Sequence, residues 1–468
     1  MANGPGTRAV VGYIAGDPGK APRSRVVLCD LEAGKALGAG AVPGSYVPLA
    51  LSDAGDRILV RTDGFGPGQH DRLELWSVGK SGIARGVAWS PYAAATGGNG
   101  GDRDVRWAAF LDEKRLATVS EAGMLVVWRL DPLEPLFTLQ LQGGCSPGLS
   151  PDRKLMAFTT GKEIGVLDTS EGEVLAIQPA PSPNMVWTTF AFSPSGKRLA
   201  CQVFVGKVFI YAVADGTQGV EIPLQGLNAQ QPTIWTDESH ILIGGNTLVD
   251  LESQVRLWQY QGGDQVMTAR GMSWFHVAPG ERQSGALIPA QLPQLGVQDA
   301  LAKALKDPNF FILKPGTSVT IDAAGITDAA RRDDVTRMLA ENFAKGDVRV
   351  VPGSPVTVEV SVAVGAEEEI AYRTMGAGFQ VDKFKIRPQI GRVRFMYQGK
   401  VAWETGSSTV PFFDIAHLKK DESLQDHVRK FEKPNYDFFK HVELPKLLTR
   451  PTGQPTLGTS QVTLSGVR

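Results

Sequence analysis

Asp414, His417, His427 and His441 are the residues in this chain whose types could gather a metal ion, yet no two of the histidines stand four apart on a helix as a ligand pair requires. They are expected to be surface or capping side chains. A serine nucleophile needs the strained turn G-x-S-x-G, and both Gly406-Ser407-Ser408-Thr409-Val410 and Gly458-Thr459-Ser460-Gln461-Val462 lack its second glycine. Gly79-Lys80-Ser81 ends like a phosphate-binding loop, but Glu74 holds the place of the leading glycine and no helical pattern follows. The run GGNGGD near residue 100 follows no strand-to-helix pattern, so no dinucleotide site is expected there. No catalytic residue, metal ligand or cofactor site is assigned, which leaves recognition as the chemistry to look for.

The elements that would position recognising residues come next. A chain of 468 residues exceeds one ordinary core and predicts two domains. With 48 basic and 49 acidic side chains the net charge is -1, which removes the long-range field on which sequence-blind nucleic-acid or membrane binding depends. Cys29, Cys145 and Cys201 lie far apart and in no ligand spacing, so reduced thiols are expected. There is no apolar run of about 18 residues and no secretory pattern at the start, and a cytoplasmic location without membrane contact is the expectation.

Short apolar runs ending in a turn recur at residues 26 to 35, 73 to 82, 125 to 134, 164 to 173, 208 to 217 and 246 to 255. They align Cys29, Trp76, Trp128, Leu167, Tyr211 and Val249 in one column, with separations of 47, 52, 39, 44 and 38 residues. One four-stranded propeller blade needs roughly 40 to 45 residues. A second signature, an apolar strand end followed by a Ser/Pro/Asp/Gly turn and a β-rich run, stands upstream at 51 to 60, 110 to 119, 149 to 158, 192 to 201 and 235 to 244, and predicts a hairpin. With both signatures residues 8 to 279 resemble a WD-repeat β-propeller. The Gly-His pair and Trp-Asp dipeptide of strong members are absent, Trp76-Ser77 and Trp128-Arg129 being the nearest approaches. That departure bears on the family's internal hydrogen-bonded tetrad and leaves the strand pattern untouched.

Inner strands near 46, 105, 145, 187, 231 and 271 predict six blades, and a strand-like run at 83 to 91 makes seven conceivable. The first three strands, at 8 to 14, 24 to 30 and 35 to 42, lack an inner partner, and GMSWFHVA from 271 lacks a successor. Joining them in one blade shared by both ends would seal the ring and leave no open edge. The rival is an ordinary hairpin of 271 to 278 with 284 to 289.

Long Gly/Pro-rich connections at 15 to 23, 64 to 71 and 93 to 105 all fall on the end of the ring that carries the second-to-third strand turns and the blade-to-blade crossings. Loops carried on a rigid scaffold are where binding surfaces sit. A partner-binding site is expected from Lys20, Arg23, Phe65, His70, Asp102, Arg103 and Arg106.

Residues 280 to 300 read as a linker, and 301 to 450 as an α+β domain of unknown function with a helix over 327 to 346, capped by Thr327, ended by Gly346 and striped by Val335, Met338, Leu339 and Phe343. Residues 451 to 468 read as a tail. Lys383, Lys385, Arg387, Arg392 and Arg394 alternate with apolar residues and predict a basic strand face, the solvent side of a half-buried strand or a grip on an acidic partner or RNA. The fold class expected is an all-β propeller, six-bladed with seven possible, followed by a smaller α+β domain. The function expected is a non-enzymatic scaffold that binds protein partners, with no cofactor and no nucleic acid. The alternative is a hydrolase or lyase whose site lies in the propeller channel.

Overall fold

The computed structural model describes the chain except residues 16–20, 65–67, 80–81, 94–99, 183–184, 205, 225–226, 228–229, 279–284, 374–380, 410–422, 443, 446 and 452–455. It contains two compact units: residues 1–300 with 456–468, and residues 301–455.

The first unit is a seven-bladed β-propeller. Blade one holds β1 (Arg8–Ala15), β2 (Arg23–Asp30) and β3 (Lys35–Pro43). Blade two holds β4 (Tyr46–Leu51), β5 (Arg57–Thr62), β6 (Leu73–Gly79) and β7 (Gly82–Trp89). Blade three holds β8 (Val105–Phe110), β9 (Arg115–Ser120), β10 (Met124–Leu130) and β11 (Leu133–Gln140). Blade four holds β12 (Gly148–Leu149), β13 (Leu155–Thr159), β14 (Glu163–Asp168) and β15 (Val174–Pro179). Blade five holds β16 (Thr189–Phe192), β17 (Arg198–Gln202), β18 (Lys207–Ala212) and β19 (Gln218–Pro223). Blade six holds β20 (Ile234–Trp235), β21 (His240–Ile243), β22 (Thr247–Asp250) and β23 (Arg256–Gln261). Blade seven holds β24 (Gln265–Ala269), β25 (Met272–Val277) and β26 (Ala286–Ala290). Helix α1 (Val297–Leu305) follows.

No single core fills the ring. Apolar clusters lie between successive blades instead, as where Val10, Val26 and Leu28 of blade one meet Leu51, Ile58 and Trp76 of blade two, or Leu125 and Val127 of blade three meet Met156, Phe158 and Leu167 of blade four. Each sheet is buried on both faces by its neighbours, which is why the inner three strands read as apolar runs.

The column of the sequence repeat has a structural meaning. In six blades the residue in that column pairs with the outer strand where one extra residue is inserted: Leu37 beside Cys29, Leu136 beside Trp128, Leu175 beside Leu167, Gly219 beside Tyr211 and Leu257 beside Val249, with the same shift between Glu74 and Trp76. A bulge at a fixed position bends the outer strand and sharpens its twist, which suits a wedge-shaped blade.

The second signature is the first hairpin. Ser52, Ser150 and Ser193, all buried, accept hydrogen bonds on Oγ from the backbone N–H of Arg57, Leu155 and Arg198 at 3.1, 2.9 and 3.2 Å. Its fourth position joins blades. Glu113 accepts from the N–H of Ala54 at 2.7 Å and binds Arg57, and Glu238 accepts from the N–H of Ser195 at 2.6 Å, while Arg198 donates to the Glu238 carbonyl at 3.1 Å.

Ring closure differs from the expected shared blade. Val10 pairs with Leu28 in one sheet, and Trp274 pairs with Met267 and Pro289 in another. The inner partner of β1 is the chain's own first residues, through an Ala2–Ala9 bridge and the Asn3 N–H bound to Arg8. The hairpin of β25 with β26 is the rival pairing, and its inner strand is β24, a polar-flanked run that follows Gly262 and Gly263. That blade, not the run at 83 to 91 that forms β7, is the additional one. Blades seven and one then meet by packing of Ala9, Leu31 and Ala269 with Met267, Trp274 and Leu287, and by an Arg270–Glu32 ion pair at 3.3 Å. Stretch 280 to 300 accordingly carries β26 and the start of α1 rather than a bare linker.

In the second unit β27 (Phe311–Leu313) precedes β28 (Ser318–Gly325), helix α2 (Ala329–Lys345), β29 (Arg349–Val350) and β30 (Val356–Val364). A hairpin of β31 (Glu368–Arg373) and β32 (Val381–Ile386) leads to β33 (Gln389–Tyr397) and β34 (Lys400–Ser408). Helices α3 (Leu424–Arg429) and α4 (Asp437–His441) and strand β35 (Leu448–Thr449) complete it. The main sheet is mixed, in the order β29-β28-β30-β33-β34. Helix α2 buries Val335, Leu339 and Phe343 as its stripe predicts, while Asp328 rather than Thr327 caps it, accepting from the N–H groups of Ala330 and Arg331.

The segment expected as a tail returns to the propeller. Strand β36 (Gly458–Thr463) adds parallel to β23 at the outer edge of blade six, and β37 (Gly466–Val467) folds back on it.

Two tryptophans of the column carry different polar networks. Trp128 Nε1 donates to Thr118 Oγ1 at 3.0 Å, and the Tyr92 hydroxyl donates to the same oxygen at 2.8 Å. Trp76 Nε1 donates to Glu74 at 3.0 Å, and Arg85 grips the same carboxylate at 2.6 and 2.9 Å. Burial by itself would raise the Glu74 carboxyl, but hydrogen bonds from Arg85 and Trp76 and the attraction of Arg85 and Arg72 hold it below its ordinary value. A depressed carboxyl stabilises the fold above its unfolded pKa of about 4.3, and that stability is lost as pH falls through the folded value. Acid titration of the melting temperature will therefore fall less steeply below pH ~4 in Glu74→Gln than in the native chain; equal slopes would show that Glu74 is not the group concerned.

Candidate functional site

The end of the ring that bears the blade-to-blade crossings also carries the second-to-third strand turns. In blades two and three a charged network ties these connections together. Asp104 accepts from the N–H groups of His70 at 2.9 Å and Gly68 at 3.2 Å, and the His70 carbonyl accepts from the N–H of Val105 at 2.9 Å. Asp63 faces His70 at 3.3 Å and Arg61 at 3.8 Å, while Arg61 donates to the Val105 carbonyl at 2.5 Å. Burial pulls the Arg61 guanidinium down from its ordinary pKa, against the attraction of Asp63, Asp104 and Glu121.

Of the residues expected to bind a partner, Lys20 and Phe65 lie outside the described residues. His70, Asp102, Arg103 and Arg106 are brought to one neighbourhood by the Gly100–Arg103 turn and by β8. Arg106 is bound by both oxygens of Glu121 at 3.1 Å, so its side chain braces two connections. Arg23 opens β2 in blade one and is exposed.

Sequence reasoning missed the apolar part of this face. Trp187, in the crossing from blade four to blade five, has φ +57°, is 41 % exposed and sets its ring edge-on to Phe204 at 5.1 Å, beside the exposed Val186. A bulky residue at positive φ is a conformational outlier, retained where its surroundings over-determine it. Here Gly144, itself at φ +73°, lies where an added Cβ would meet the indole at 3.0 Å. Tyr13 and Ile14 are exposed at the same end of blade one, with Arg25 over the Tyr13 ring at 5.8 Å. The signal available beforehand was an aromatic residue in a Pro/Asn/Thr-rich connection.

At the opposite end of the ring Arg153 of blade four reaches Asp53 of blade two at 2.7 Å, and the Asn3 side chain donates to the Asp53 carbonyl at 2.8 Å. Arg153 stands at φ +60°, in the turn position that Gly55 and Gly196 fill in blades two and five. His240 is buried in blade six between Asp237 at 2.8 Å and Asp250 at 3.5 Å, with Gln298 at 2.6 Å, a fully partnered ring. Among the described residues no group of three or more His, Cys, Asp or Glu side chains has a metal-holding arrangement.

Asp414 and His417 lie outside the described residues, while His427 is in α3 against Phe431 and His441 ends α4. The basic residues of the second unit do not form one face. Lys383 and Lys385 belong to β32, Arg392 and Arg394 to β33 in another sheet, with Arg387 between. Lys383 pairs with Glu369 at 2.7 Å, Lys385 with Glu367 at 3.3 Å, and Glu404 serves both Arg392, at 3.4 Å, and Arg394, at 2.5 Å.

No protein-family model and no curated protein matches the chain. No helix among the described residues is long and apolar enough to cross a membrane.

Proposed function

We propose that this protein is a non-enzymatic scaffold that binds a protein partner through the crossing-loop end of its propeller, with the α+β unit as a second contact surface. The observation that carries the reading is the exposed Trp187, held by backbone geometry rather than by burial, on the same end as Tyr13, Ile14, Arg23 and Arg25. Tryptophan, tyrosine and arginine are the residues that dominate interface energetics, and loops on a stiff ring lose little entropy on docking. The charged network of blades two and three supports this by keeping its connections in one shape. Kinship with WD-repeat propellers forms part of the proposal, supported by the Trp128–Thr118–Tyr92 chain, which links the column tryptophan to the preceding strand and to the crossing loop. Three free cysteines fit a cytoplasmic setting.

Affinity capture with Trp187→Ala and Arg25→Ala, compared with Arg270→Ala at the opposite end, tests the assignment. Loss of a partner by roughly tenfold or more in the first two variants, with retention in the third, is the expected result. Equal recovery by all three would remove this end of the ring from the function.

A further inference from the structure

We propose that β15, the outer strand of blade four, pairs antiparallel with β15 of a second copy of this chain about a two-fold axis. Blade six shows how this fold completes an outer edge: β36 lies along β23 from Trp258 to Gln261, and the Leu457 N–H bonds the carbonyl of Leu257, the bulge residue. Blade four has its bulge at the matching residue, Leu175, and no described strand lies along β15 beyond it.

The composition of β15 sets it apart from the other outer strands. Natural edges are protected by charge, proline or glycine. Arg85 interrupts β7, Glu134 and Pro135 interrupt β11, Glu221 interrupts β19 and Pro289 interrupts β26. Lys35 and two glycines occupy β3, and β23 is already covered. In β15 the one such residue is Pro179, at its last position; the run Val174-Leu175-Ala176-Ile177 before it contains none, and Val174, Leu175 and Ile177 are 41, 53 and 57 % exposed.

A second copy is the occupant because the strand is complementary to itself. An isologous contact puts the same patch on both sides. The antiparallel register that pairs Val174 with Ile177 and Leu175 with Ala176 places Glu173 opposite Gln178, so no acid faces its own copy. The ladder leaves donors free for this. The Ala180 N–H points at Lys162 on the β14 side, so by alternation the Ile177 N–H points to the open edge. Strand pairing by itself falls below the roughly 1,200 Å² of a standard interface, so the dimer is weak and concentration-dependent.

Sedimentation velocity of the full chain between roughly 5 and 500 µM tests this. The native chain is expected to pass from monomer to dimer over that range, Leu175→Lys/Ile177→Lys to remain monomeric, and Val401→Lys, on an exposed strand of the second unit, to dimerise like the native chain. Amide exchange at Ile177 in the native chain should slow at the high concentration, a readout independent of how the variants fold. A native chain that stays monomeric throughout, a dimer that survives both lysines, or unchanged exchange at Ile177 would each overturn the proposal, as would a monomer that takes up only an extended partner peptide along β15.

Discussion

Trp76→Ala will destabilise the propeller by about 4 kcal/mol, near the upper end for a single truncation in this ring. The indole is 1 % exposed in the cluster that joins blades one and two, and it contacts the Tyr46 ring edge-on at 4.9 Å. Its loss removes a large apolar surface, opens a cavity and leaves the Glu74 carboxylate one donor short. Trp76→Phe separates these contributions, since it keeps most of the ring but not the N–H, and should cost about 2 kcal/mol. Equilibrium denaturation of both variants checks this. A Trp76→Ala penalty under about 1 kcal/mol would mean that the blade interfaces collapse around the gap, contrary to the packing described.

Removal of residues 456–468 will cost a comparable amount, again about 4 kcal/mol, and will act locally in blade six. Val462 is buried at 3 % exposure, and Trp258 Nε1 donates to Ser460 Oγ at 3.0 Å, which in turn bonds Gln294 at 3.0 Å. Without β36 the outer edge of β23 and the buried Leu257 and Tyr260 meet water. Hydrogen exchange should therefore accelerate first in β22 and β23, with blades two and three unchanged. Gly458→Val is a milder form of the same experiment, because a Cβ at Gly458 would lie 2.2 Å from the Trp258 ring. Unchanged exchange in β23 after the deletion would show that the returning segment decorates the blade without holding it.

Much of the candidate face was legible beforehand only as loops. His70, Asp102 and Arg103 do converge, because the long connections in which they lie belong to the same end of adjacent blades. Asp63, Asp104 and Glu121, which organise them, stand in turns whose sequence marks no role, and the exposed Trp187 resembled one more apolar strand residue until its backbone angle was known.

The amino-acid sequence alone determined the blade. The Cys29-to-Val249 column, the serine turns and the glutamates at the fourth turn position are local, and they recur where blades share the same hairpin and bulge geometry. The number of blades and the manner of closure were decided only in three dimensions. Ala269 against Leu31 and β36 along β23 join residues distant in the chain, and Ala2 beside Ala9 gives blade one its inner edge, by packing and by main-chain bonds that any side chain permits. A main-chain bond leaves no mark on side-chain type, so neither the seventh blade's inner strand nor the returning segment could be told from a loop or a tail before the ring was assembled.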